Sequence, residues 1–200
     1  MAVFPIRTPD QKAMMGVCIS FAILPVIAVG LRLLAHRIAQ KKWTPGDYLL
    51  IAACFFGVGL QLMSIASVIY GGVGYGHTKD ITREYGPGPL DFVYKIILPM
   101  EVFWLLTLCL TKMSILYLYL RIFPIPWVTY CSYAVMALVT AWTVAILLVC
   151  LLICQPFRFH WDKTIPGGHC GNQPLVYMIF GVANVVTNIM VLILPMYPIS

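Results

Sequence analysis

Residues 122–157 read IFPIPWVTYCSYAVMALVTAWTVAILLVCLLICQPF, with no Asp, Glu, Lys or Arg anywhere in the run. About 20 apolar residues are enough for an α-helix to cross the hydrocarbon core of a bilayer, so this stretch alone argues for a membrane segment. Within it the span is expected at 127–153, with Pro124 and Pro126 breaking it from the helix before. The rest of the chain agrees. Of its 200 residues, 61% are hydrophobic and 10% charged, and the mean hydropathy is +0.90. A water-soluble domain carries roughly a quarter charged residues, so a soluble globular fold is excluded. A nucleic-acid binder is excluded too, because the formal charge of +6 sits beside apolar runs and forms no basic stripe.

Four more windows of spanning length surround this run. The first, 13–34, is free of charge until Arg32 and too long for a signal-peptide core, so it reads as an anchor. The second, 48–72, opens on Trp43, Asp47 and Tyr48 at the interface, where aromatic belts form, and ends in the glycine cluster Gly71 to Gly76. The third, 92–120, carries Glu101 and Lys112, which must face inward. The last, 174–194, is closed by Pro195 and Pro198. The expected fold is all-α: one polytopic transmembrane helix bundle over residues 1–200, with five spans.

Lys and Arg concentrate on the cytoplasmic side of short connections. The first connection holds Arg32, Arg37, Lys41 and Lys42 with no acid before Asp47, so it is expected to be a cytoplasmic basic loop. The N-terminus, with Arg7 and Lys12, is then extracellular or lumenal. The second connection, where Lys79 and Arg83 are balanced by Asp80 and Glu84, is also outside, and the turn at Arg121 is inside. Of seven cysteines, Cys18, Cys54, Cys109, Cys131 and Cys150 lie in apolar runs and read as small hydrophobes. Cys154 and Cys170 bracket a polar connection on the outer, oxidising side, where a disulfide is expected. His160 and His169 bring a zinc site to mind, but the spacing matches no closed Cys/His ligand pattern. Asp162 and Lys163 on that connection are expected in water, and Trp161 at the interface.

The junctions between the spans carry a resemblance. They are LRLLAHR (31–37), WTPGDYLL (43–50), LTKMSILYLYLRIFP (110–124), CQPFRFHWD (154–162) with the later Cys170, and ANVVTNIMVLILP (183–195). Together they resemble the fungal rhodopsin-like-domain family of integral membrane proteins, which implies a seven-helix architecture. The chain departs from the family pattern where paired acids precede the tyrosine of the second span, since Gly46 and Asp47 stand there. It departs again where the fifth span often holds an acid, since Asn188 stands there. Seven spans need roughly 260 residues at about 20 per span, so this chain is expected to hold only the first five.

Ionisable groups inside a span cost about 2.5 to 3.5 kcal/mol on insertion scales, which makes Glu101 and Lys112 the first functional candidates. They share nearly one helix face but stand about 16 Å apart along it, too far to pair. Lys112 is expected to join a polar cluster with Thr111, Asn184, Thr187 and Asn188, with snorkelling or Asp47 as its other outlets. Glu101 is expected either to hydrogen-bond Gln61 or Ser64 of the second span or to face an outward cavity. No cofactor is expected. Lys112 is not expected to carry retinal, because microbial retinal proteins hold that lysine on the seventh helix and no carboxylate stands close by. No phosphate loop, HExxH or nucleophile elbow occurs, so no enzymatic activity is expected. The reading is receptor-like sensing, by analogy with seven-helix receptors, in the plasma membrane. Its partners would be the lipid bilayer, an unidentified ligand and an unidentified cytoplasmic protein. The alternatives are a small-molecule or ion transporter using Glu101, Gln61, Lys112, Asn184 and Asn188, or a truncated fragment without function.

Overall fold

The computed structural model describes residues 4–6, 8–40, 42–75, 85–86, 88–123, 125–162 and 165–195. The expectations placed on Arg7, Lys41, Gly76, Lys79, Asp80, Arg83, Glu84, Pro124, Lys163 and Pro198 fall outside these residues. Five long helices dominate: α1 (Pro9–Ile38), α2 (Pro45–Gly71), α3 (Gly88–Ile122), α4 (Pro126–Leu152) and α5 (Gln173–Ile193). Each is long and apolar enough to cross a bilayer. The chain is a multi-pass integral membrane protein.

The first three helices outrun the apolar windows, because caps and prolines start a helix without adding hydropathy. At α1 the Thr8 hydroxyl accepts the Gln11 N–H at 3.3 Å while the Gln11 side chain accepts the Thr8 N–H at 3.4 Å. This reciprocal box satisfies two otherwise orphaned donors, and Pro9 fits the first helical position. At its other end α1 runs through Arg32 and Arg37 to Ile38. These two arginines are therefore helical and not part of a loop as expected, since arginine is a good helix former. At α2 the Asp47 carboxylate accepts the Thr44 N–H at 2.9 Å and the Thr44 hydroxyl at 2.6 Å, so the helix begins at Pro45 instead of Tyr48.

Small residues let α2 lie close against α3. A Cβ built on Gly46 would stand 3.3 Å from Tyr117 Cβ, and one on Gly59 only 2.6 Å from a ring carbon of Phe103. Without a hydrophobic drive between helices in lipid, such close approach is what holds them together. The buried Ser114 hydroxyl adds a bond to the Gly46 carbonyl at 2.8 Å. Gly59→Val should force Phe103 aside and lower stability by about 2 kcal/mol. A thermal unfolding midpoint in detergent equal to wild type would contradict this packing.

The two ends of the bundle are finished differently. At one end the N-terminal segment folds back: Phe4 is buried, its N–H bonds the Ile69 carbonyl at 2.9 Å, and its ring meets Tyr85 with centroids 4.6 Å apart. Thr8 donates to the Gly74 carbonyl at 2.8 Å. At the same end, β1 (Cys154–Gln155) and β2 (His169–Cys170) pair antiparallel, Cys154 opposite Cys170, and these two form the expected disulfide. A short 3-10 turn, Phe157–His160, lies between the strands in sequence. At the opposite end stand Arg32, Asp47 and Arg121. Between the ends, Leu105, Ile146, Cys150 and Phe180 form a buried apolar layer with Leu108, Trp142 and Leu147 against it.

Candidate functional site

Helix α3 is the polar spine. Glu101 and Lys112 lie eleven residues apart on it, about 16 Å at the helical rise, and α5 runs in the same direction alongside. Tyr177 and Asn184 are two turns apart on α5 and share a face. Each therefore meets one of these two groups of α3. The Tyr177 hydroxyl donates to the Glu101 carboxylate. Lys112 Nζ donates to the Asn184 side-chain oxygen at 2.7 Å and to the Thr187 hydroxyl at 2.5 Å.

This arrangement keeps Lys112, Asn184 and Thr187 of the expected cluster together and leaves the others apart. Glu101 stands apart from Lys112, Asn184 and Thr187, separated by the apolar layer of Leu105 and Phe180. Its hydroxyl partner comes from α5 and not from Gln61 or Ser64 of α2, because Ser64 turns its hydroxyl to the Leu60 carbonyl of its own helix at 3.0 Å. Asn188 is exposed on α5, whereas Thr187, one residue earlier and also expected there, faces the lysine. Thr111 likewise spends its hydroxyl on the Thr107 carbonyl. Lys112 does not snorkel, being only 8% exposed, and it does not reach Asp47.

Above the apolar layer, Glu101 and Tyr177 line a cavity of about 270 Å³ with Tyr94, Leu98, His160 and Gln173. The disulfide-clasped connection contributes to its wall. His160 ties that connection to the end of α4, with its two ring nitrogens each 2.9 Å from a carbonyl, of Phe157 and of Cys150. Both nitrogens are thus engaged by backbone. Among the described residues no three His, Cys, Asp or Glu side chains gather as metal ligands. Below the layer, the space beside Lys112 is about 20 Å³.

At the far end Asp47 is 1% exposed and gathers the basic groups: Arg32 Nε lies 3.2 Å from one carboxylate oxygen and His36 Nδ1 3.6 Å from the other. Arg37 and Lys42 stay exposed. The Thr44-to-Asp47 spacing is a capping signature legible in sequence. The Arg32 and Tyr177 contacts were not foreseen, although the two-turn spacing of Tyr177 from Asn184 carried the signal for the second.

A family model described as the fungal rhodopsin domain matches residues 31–200. The chain belongs to this family. Among fungal rhodopsin-domain relatives, it is 30% identical over 177 residues to the polyenoic acids biosynthesis gene cluster protein Ba17b of Metarhizium anisopliae, covering 88% of this chain and 48% of that protein. It is 26% identical over 182 residues to the receptor GIN3 of Arthrobotrys oligospora, covering 88% and 41%. It is 26% identical over 207 residues to the phomoidride biosynthesis cluster protein H of a fungal species, covering 92% and 73%. The chain thus spans less than half the length of the first two relatives. No solved structure gives a significant match.

Proposed function

We propose that this fungal rhodopsin-domain chain serves a receptor-like sensing role, taking a small ligand in the Glu101–Tyr177 cavity and passing its occupancy along α3 to the Arg32–Asp47 end. The observation that carries the reading is that cavity itself: a carboxylate and a phenol placed in about 270 Å³ of mostly apolar space, the usual composition of a small-molecule site. The relative named as a receptor supports it at the level of family analogy. The positive-inside rule supports an orientation with Arg32, Arg37, Lys42 and Arg121 in the cytoplasm and the disulfide outside, in the plasma membrane. The role is non-catalytic and without retinal, and a cytoplasmic protein would read the signal.

A transporter needs a continuous polar path, and the layer of Leu105, Ile146, Cys150 and Phe180 interrupts it between Glu101 and Lys112. That favours sensing over flux. The two separate by experiment. In yeast expressing the full chain, an organic extract of conditioned fungal medium is expected to change cytosolic cyclic AMP, and Glu101→Gln or Tyr177→Phe is expected to abolish the response at equal surface expression. Proton or small-ion flux through reconstituted liposomes, lost in Glu101→Gln, with no cyclic AMP change in cells, would replace the receptor with a transporter.

A further inference from the structure

The Arg32 end holds a second cavity of about 250 Å³, enclosed by the end of α1, the start of α2, the end of α3 and the start of α4. Its lining includes Arg32, His36, Arg121, Tyr117 and Tyr133 and no carboxylate at all. Asp47, which lies behind the wall of this cavity, is 1% exposed and turned to Thr44, Arg32 and His36. It therefore holds the arginine and histidine in place without presenting negative charge to the space. Arg121 is exposed and makes no ion pair among the described residues.

Two guanidinium groups, an imidazole and two phenols around one acid-free space suit a phosphate, which arginine grips with two parallel hydrogen bonds. Leu118 and Leu120 add apolar wall beside the basic groups, matching a ligand that is anionic at its head and apolar behind. The site also lies at helix ends, the parts of a spanning bundle nearest the headgroups. Basic pockets between transmembrane helices on the cytoplasmic side are places where anionic headgroups bind. The geometry points to a phosphate-binding site here, filled by the headgroup of an anionic membrane lipid; a free phosphate would satisfy the same charges. The site is independent of the ligand cavity beneath the disulfide and of whether the protein senses anything.

The test is native mass spectrometry of the full chain in detergent, offered a phosphatidylinositol phosphate or phosphatidylcholine. Preferential retention of the phosphoinositide, weakening as salt is raised, is the expected result. Arg121→Gln should lower its affinity about tenfold, the size of one lost charge-assisted hydrogen bond, and Arg121→Lys should restore part of it. Arg37→Gln is the control: this exposed α1 residue does not line the cavity, so affinity should hold. Added inorganic phosphate tells the two sources apart, since displacement assigns the site to soluble phosphate and persistence assigns it to the lipid. Equal retention of both lipids, or equal losses in Arg121→Gln and Arg37→Gln, would overturn the site in favour of diffuse surface charge.

Discussion

Asn184→Leu is expected to destabilise the bundle by about 3 kcal/mol, well beyond the effect of removing the lysine it serves. Lys112 is 8% exposed and has Asn184 and Thr187 as its acceptors. Deleting the amide leaves an ammonium group in the membrane interior with only the Thr187 hydroxyl and the Asn184 backbone carbonyl at 3.4 Å, and a charged group short of its amide acceptor costs about 3 kcal/mol. Lys112→Met removes the charge and its needs together. The Thr187 hydroxyl then still donates to a carbonyl of its own helix, at 2.9 Å from Ala183, so the loss should be about 1 kcal/mol or less. The double variant should return to within about 1 kcal/mol of Lys112→Met, the non-additivity expected of groups in one network. Thermal unfolding of the three variants in one detergent measures this. Lys112→Met the most unstable of the three would contradict the arrangement. The same experiment bears on function, because Lys112→Met at full stability leaves any loss of response attributable to signalling.

The helices were legible because the bilayer imposes one rule: every backbone polar group must be satisfied inside its own segment. Long apolar runs such as 122–157 can meet that rule only as helices. Their ends were less legible, since Thr8, Thr44 and Asp47 set the boundaries through hydrogen bonds that hydropathy ignores. The lysine site was partly legible, because Asn184 lies at the depth of Lys112. Both Thr187 and Asn188 were expected beside the lysine, and the actual crossing of α3 and α5 presents only the first, three residues after Asn184. Glu101 lines a cavity, one of its two expected settings, but its hydroxyl partner stands on α5 and not on α2. Sequence shows which residues share a face of one helix, but the partner helix is fixed by packing, and here the α2 serines turn to their own carbonyls. Arg32 joined Asp47 for a reason also hidden in sequence: the packing of α1 against α2 brings the guanidinium beside the start of α2.

Replacing Cys154 and Cys170 together by serine should cost about 3 kcal/mol in the loop-entropy picture, for a loop of this size. The cysteines are 16 residues apart in sequence. Between them lie one short 3-10 turn and strands of two residues each, too little structure to hold the connection closed alone. Other ties among the described residues include His160 on the Cys150 carbonyl and the Gly171 N–H on the Ile153 carbonyl at 2.8 Å. Both acceptors, Cys150 and Ile153, stand at the end of α4. These bonds tie the connection to the end of α4, outside the rest of the bundle, so the loss should be local. Backbone amides between 156 and 169 should exchange hydrogen far faster in the variant, while those of α2 and α3 keep their protection. Non-reducing peptide mapping of the wild type should recover the two cysteines as one linked peptide. Because the connection walls the cavity of Glu101 and Tyr177 through His160, the variant should also respond more weakly to ligand. Uniformly faster exchange across all five helices would mean that the bridge supports the bundle as a whole. Unchanged exchange between 156 and 169 would mean that His160 and Gly171 hold the connection without it.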